Sequence, residues 1–188
     1  MQAMTPETVF IAFGSNQGNR QNFCDRAIAL IKLLPHSRVI GISSYYETEP
    51  VEMEANPDNR WFYNGVVQIE TNLRPENLLI ICQETEQSLG REPSTRNRSR
   101  NIDLDILFYG EQIITTPQLA VPHPRLHLRR FVLEPMAELN PQWIHPQQRQ
   151  TIQTLLDRLT DTQQVRKLDL VPGSHYHQKP SCSPTPTN

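Results

Sequence analysis

Between Val9 and Tyr109 the apolar residues switch between two spacings in a set order, and that order limits the possible folds more than any other feature. Val9 to Phe13 is a short apolar run that stops at Gly14-Ser15-Asn16, the pattern of a buried strand ending in a turn. Asn19 is placed to cap the next segment, where Phe23, Ala27, Leu30, Ile31 and Leu34 recur at helical spacing until Pro35. Arg38 to Thr48 is β-branched and aromatic and predicts one continuous second strand. Trp61 to Thr71 predicts a third, with Phe62, Asn64 and Val66 on one face. Pro75 suits the first turn of a helix running to about Leu89, with Leu78, Cys82, Thr85 and Leu89 in one stripe and Gly90 at its end. Asn101 to Tyr109 predicts a fourth strand, and Ile113-Ile114 a short one after it. A helical piece is expected around Phe131 to Leu139, and a last helix is marked by Ile152, Leu155, Leu156 and Leu159.

The string β-α-β-β-α-β predicts an α+β fold with a ferredoxin-like core, an antiparallel sheet with helices on one face, and C-terminal additions. At 188 residues the chain has the length of one domain. The expected division is a flexible segment 1–8, a domain over 9–170, and a disordered tail 171–188 rich in Pro, Ser, Thr and His. No apolar run is long enough for a membrane span, and no secretory signal opens the chain, so a cytoplasmic protein without a membrane partner is expected. A net charge of -2 gives no reason to expect nucleic-acid binding. Three cysteines, with no C-x-x-C spacing, argue against a disulfide framework and a thiolate zinc site; Cys24 and Cys82 read as small apolar residues on helices.

Chemistry concentrates in Ile102-Asp103-Leu104-Asp105-Ile106. Strand alternation sends Ile102, Leu104, Ile106 and Phe108 to the core and both aspartates to the other face. Two adjacent carboxylates repel, and a divalent cation between them removes the conflict. Oxygen ligands of this kind suit magnesium, which completes its shell with phosphate oxygens and water. Arg91, Arg96, Arg98 and Arg100 precede the pair, and His123, Arg125, His127, Arg129 and Arg130 follow it. Cations flanking a di-acidic metal site match the needs of a polyphosphate substrate. A solvated strand face beside an ordinary basic surface is the plainer alternative. No G-x-x-x-x-G-K-[ST] is present, and the spacing of His123 and His127 does not form H-E-x-x-H.

Taken together, Phe13-Gly14-Ser15-Asn16, Phe62-Tyr63-Asn64, Arg100-Asn101-Ile102-Asp103-Leu104-Asp105-Ile106-Leu107, Val121-Pro122-His123-Pro124-Arg125 and Arg129-Arg130-Phe131-Val132-Leu133-x-Pro135 resemble the 6-hydroxymethyl-7,8-dihydropterin pyrophosphokinases of folate biosynthesis. The likeness runs in order from about Val9 to Leu170. It implies transfer of the pyrophosphoryl group of ATP to the pterin hydroxymethyl group, with AMP as the other product. It implies two magnesium ions on Asp103 and Asp105, and catalysis by Arg91, Arg100, Asp103 and Asp105. The pterin is expected between Phe62 and Phe131, with Asn64 on its polar edge and Gly14, Thr48 and Val51 around it. ATP is expected at Gln83, Glu86, Arg91, Arg100, Ile106, His123 and Arg129. The pterin and ATP are then the only expected partners, and a monomer the expected form. The likeness departs at Pro93, where some members carry Arg, and at Asn97, where some carry Trp. The loops Glu49 to Arg60 and Glu92 to Arg100 are expected to open and close over the substrates. Two rival readings carry tests of their own. An RNA-binding ferredoxin-like module predicts magnesium-independent, salt-sensitive RNA binding. Another phosphotransferase on this scaffold predicts release of ADP or pyrophosphate.

Overall fold

The computed structural model of the chain describes residues 5–50, 60–91 and 101–173. Strand β1 (Glu7–Ser15) leads into helix α1 (Arg20–Lys32), then β2 (Ser37–Ile42), β3 (Tyr46–Thr48), β4 (Phe62–Thr71), α2 (Pro75–Ser88) and β5 (Asp103–Tyr109). A small hairpin of β6 (Ile114–Thr115) and β7 (Ala120–Val121) follows, then a 3₁₀ turn over Leu126–Leu128, α3 (Arg130–Leu139), α4 (Ile152–Asp157) and β8 (Val165–Lys167). The main sheet runs β5-β1-β4-β3-β8, with β2 also paired to β4. The pairs within it are antiparallel. The β-α-β-β-α-β core and the α+β class are therefore as expected, with β2 and β3 together in the place of the second strand.

Local chemistry accounts for the helix ends. The Asn19 side chain accepts the Asn22 backbone N–H at 3.0 Å and caps α1. Pro75 occupies the first turn of α2, where its missing N–H costs nothing, and Gly90 follows the helix at a φ of 88°. The inward stripe of α1 is Cys24, Ala27, Ile28 and Ile31. Leu30 was expected in that stripe and is exposed instead, since it lies off the i, i+3, i+4, i+7 line through Cys24.

Two apolar layers flank the sheet. On one side Val9, Ile11, Phe13, Val67, Ile69, Leu104 and Ile106 pack against α1 and α2, with Cys24 and Cys82 buried as free thiols. On the other, Phe10, Val66, Leu107 and Phe108 pack against Val132, Leu133 and Met136 of α3 and Ile152 and Leu155 of α4. Helices on one face only, as predicted, is thus corrected. The C-terminal additions cover the second face, because Phe10, Val66 and Phe108 leave it too apolar to face water.

Two further departures have local causes. Phe108 lies in the second layer rather than with Ile102, Leu104 and Ile106. The ladder to β1 pairs Phe10 with Phe108 but Ile11 with Ile106, so Leu107 is an extra residue that reverses the alternation. The predicted strand from Arg38 to Thr48 breaks at 43–45. Ser43 folds in there, its N–H donating to the Val66 carbonyl and its Oγ accepting the Val66 N–H, both at 2.9 Å. Strand β8 was not anticipated; it adds to the free side of β3.

Candidate functional site

The pairing register sets the site in rows across the sheet. Gly14 of β1 lies between Asp103 of β5 and Asn64 of β4. Asn64 in turn lies opposite Tyr46 of β3. One step along, Ala12 lies between Asp105 and Val66. Ala12 and Val66 belong to the layer beneath α3, so Asp103, Asp105, Gly14 and Asn64 project from that same face. The expected alternation of the two aspartates against Ile102, Leu104 and Ile106 holds.

Gly14 is small for a reason. A β-carbon there would overlap Oδ1 of Asn64, so the amide lies across the strand where the glycine leaves room. The other end of that amide is fixed by Nδ2 donating to Thr48 Oγ1 at 2.7 Å. Thr48, Asn64 and Gly14 thus form one connected wall. Phe62, half-buried, is on the same strand face as Asn64 and opposite Thr48. Phe131 sits at the start of α3, the helix packed over this sheet face, half-buried against the second apolar layer. The Arg129 guanidinium lies 5.5 Å from the centre of the Phe131 ring. Pro135, inside α3, brings no N–H to the carbonyl of Phe131 four residues earlier.

At the free edge of β5 a second group forms around Asp103. The Arg91 guanidinium is 2.9 Å from Asp103 Oδ1 and also pairs with Glu86. Glu86 is buried and accepts the Leu104 backbone N–H at 2.7 Å, closing an edge that would otherwise be open. Burial raises the Glu86 carboxyl to about 7; the Leu104 N–H opposes that rise, the Asp103 charge adds to it and Arg91 opposes it. His123 joins the same edge, its backbone N–H donating to the Leu107 carbonyl at 2.9 Å. Burial, then the charges of Arg129 and Arg125, push its imidazole down to about 4, against the pull of Asp103. His123 is therefore neutral at physiological pH and offers a hydrogen bond, leaving charge neutralisation to the arginines.

The expected residues fall into place unevenly. Gly14, Thr48 and Asn64 meet directly, and so do Glu86, Arg91 and Asp103. Gln83 is exposed on α2 one turn before Glu86. The Ile106 side chain is buried in the layer under α1 and α2. Val51 and Arg100 lie outside the described residues, as do most of the two long loops. A cavity of about 850 Å³ opens at the β3–β8 edge, lined by Glu47, Trp61, Arg130, Glu134, Asp161 and Arg166 among others. It does not include the aspartate pair, though Trp61 and Arg130 adjoin Phe62 and Phe131 in the chain. Sequence reasoning missed the partners of Glu86, because nothing in the spacing shows that an acid on a helix will cap a strand edge.

The donor chemistry fits magnesium. Asp103 and Asp105 present carboxylate oxygens from alternate positions of one strand, beside residues no larger than Gly14 and Ala12. Among the described residues no group of three or more His, Cys, Asp or Glu is arranged for a metal ion. Two carboxylates suffice when phosphate oxygens complete the shell. No described helix is long and apolar enough to cross a membrane.

Comparison with known proteins shows the family and the fold. The family model for 7,8-dihydro-6-hydroxymethylpterin-pyrophosphokinase (HPPK) matches residues 10–141. The 2-amino-4-hydroxy-6-hydroxymethyldihydropteridine pyrophosphokinase of Bacillus subtilis is 44% identical over 130 residues, covering 69% of this chain and 76% of that protein. That of Haemophilus influenzae is 33% identical over 159 residues, covering 85% and 97%. The folic acid synthesis protein fol1 of Schizosaccharomyces pombe is 38% identical over 150 residues, and the match spans 80% of this chain but 20% of that longer protein. A crystal structure of an HPPK-DHPS in complex with substrates has the same fold, with a TM-score of 0.63 at 14% identity, over 82% of this chain and 43% of the other. The chain belongs to the 7,8-dihydro-6-hydroxymethylpterin-pyrophosphokinase family.

Proposed function

We propose that the chain transfers the pyrophosphoryl group of ATP to the hydroxymethyl group of 6-hydroxymethyl-7,8-dihydropterin, giving the pterin diphosphate and AMP in tetrahydrofolate biosynthesis. One observation carries the reading beyond family membership: Asp103, Gly14 and Asn64 form a single cross-strand row on one sheet face. Strand spacing makes the row roughly 10 Å across. A phosphate chain held at the Asp103 end and a flat heterocycle read at the Asn64 end meet within it.

The chain's residues divide the work. The pterin ring stacks between Phe62 and Phe131, and the Asn64 amide reads its polar edge, with Gly14, Thr48 and Val51 completing the pocket. Gln83, Glu86, His123 and Arg129 bind ATP, and Ile106, whose side chain is in the core, meets the adenine through its backbone. Arg91 and Arg100 meet the phosphates, where guanidinium forks balance the charge that shifts during transfer. Arg91 already stands against Asp103, so the positive charge is in place before substrates arrive. Asp103 and Asp105 would hold two magnesium ions, which, when bound, neutralise the triphosphate and favour loss of the alcohol proton. No described side chain is needed as a covalent carrier. The domain over 9–170 is the catalytic unit, a single chain the acting form, and the cytoplasm its compartment.

The test is the mass of the pterin product after incubation with ATP and magnesium. A gain of two phosphates supports the reading. A gain of one, or none from folded protein, overturns it.

A further inference from the structure

The two expected walls of the pterin groove belong to different parts of the fold, and one carboxylate ties them together. Glu138, in the last turn of α3, accepts the Ser44 backbone N–H at 3.1 Å and the Ser44 hydroxyl at 2.8 Å. It also accepts the Tyr46 hydroxyl at 2.8 Å and the Lys167 ammonium at 3.1 Å. These donors come from the break between β2 and β3, from β3 itself and from β8. Burial alone would raise the Glu138 carboxyl, but the Ser44, Tyr46 and Lys167 donors outweigh it and hold the group below the usual carboxylate range. It stays ionised and keeps all four contacts.

The geometry relates this pin to the groove. Phe131 precedes Glu138 by seven residues, which is two helical turns on the same face and about 10 Å along the axis. Thr48 follows Tyr46 by two residues and faces the same side of its strand. Asn64 is joined to both, opposite Tyr46 in the ladder and bonded to Thr48. Holding Glu138 against Ser44 and Tyr46 therefore fixes how far Phe131 stands from Thr48 and Asn64. The Ser44 N–H is available because the sheet breaks there, so the break has a use: it turns a ladder donor toward α3.

We infer that Glu138 is a positioning residue for pterin recognition, setting the distance between the α3 wall and the β3–β4 wall of the groove. This rests on the reading that the pterin lies between Phe62 and Phe131. Glu138 touches neither reacting group. Its loss is expected to act chiefly on pterin binding: of the described residues read as ATP-binding only Arg129 adjoins α3, while Glu86 is on α2, Arg91 follows α2 and Asp103 is on β5.

The experiment measures dissociation constants by pterin fluorescence, with a non-hydrolysable ATP analogue and magnesium present, and nucleotide affinity separately by calorimetry. Variants are Glu138→Ala, Glu138→Gln, Tyr46→Phe and, as a reference, Phe131→Ala. A displacement of an ångström at a binding surface is costly, so Glu138→Ala should weaken pterin binding about tenfold or more and raise the pterin KM, with nucleotide affinity within about twofold. Glu138→Gln keeps an acceptor for Ser44 or Tyr46 and should recover most of the loss. Tyr46→Phe should fall between the two. Should Glu138→Ala fail to fold, Tyr46→Phe decides alone. Unchanged pterin affinity in Glu138→Ala and Tyr46→Phe, while Phe131→Ala loses it, overturns the positioning role only. Parallel loss of pterin and nucleotide affinity also overturns it, showing general destabilisation. Unchanged affinity in Phe131→Ala overturns the placement of the pterin and this inference with it.

Discussion

Asn64 lies across Gly14, its Oδ1 filling the space that a side chain on Gly14 would need. A methyl group there meets the end of a movable amide rather than backbone, so the amide gives way and the fold remains. Gly14→Ala should move Asn64 off Thr48 and raise the pterin KM by about tenfold or more, while costing less than about 1 kcal/mol in stability. Steady-state kinetics beside thermal melts check this. An unchanged KM contradicts the role given to the Asn64 amide.

The aspartates sit on a face where neither supports the core. Asp103→Asn and Asp105→Asn should each lower turnover by roughly a thousandfold, the scale of losing one strong electrostatic stabiliser. Far-ultraviolet circular dichroism should be unchanged, since the Arg91 pair that Asp103 loses is partly exposed. Loss of folded signal would assign the pair to structure.

Glu86 combines a charge with an edge contact, and two substitutions separate them. Glu86→Ala leaves the buried Leu104 N–H without its acceptor and should cost about 1–3 kcal/mol. Glu86→Gln retains an acceptor and should cost less than half as much. Denaturant melts measure both. Equal losses would place the stability in the Arg91 ion pair instead.

Acid stability should depend on His145, which is buried in the α3–α4 layer. Its Nδ1 accepts the backbone N–H groups of Gln147 and Gln148, both at 3.2 Å. Burial, then His127, pushes it down from 6.5 to about 4. Between those values the unfolded chain binds a proton that the folded imidazole refuses, so stability is lost as pH falls through that window. His123, also lowered to about 4, adds in the same direction. His145→Asn keeps a local acceptor and does not titrate. The Tm drop between pH 7 and pH 5 should be smaller in this variant by about 4–7 °C. A drop as steep as in the unchanged chain contradicts the assignment.

What could be read from the chain followed period and punctuation. The alternation at Ile102 to Ile106 placed both aspartates on one face, and Asn19, Pro75 and Gly90 marked helix ends where the structure has them. The errors come from tertiary choices that leave no periodic trace. One added residue at Leu107 reversed the face of Phe108, and Ser43 divided a run that looks uniformly β-forming. The second apolar layer depends on Pro-punctuated segments after Pro122, whose short helices are set by what they cover. In the candidate site, residue identities were legible but their bonding was not. The Arg91–Glu86–Asp103 group joins α2 to β5 around a sheet edge, and the Glu138 pin joins residues more than 90 positions apart.

The central claim is that the diphosphate leaves ATP as one unit. The most direct measurement is to incubate the chain with ATP, magnesium and 6-hydroxymethyl-7,8-dihydropterin and separate the nucleotides over time, with Asp103→Asn as a control. AMP is expected, formed only when the pterin is present and in equal amount to the pterin consumed, with almost none from the variant. Pterin-dependent ADP, or AMP formed at the same rate without the pterin, would contradict the claim.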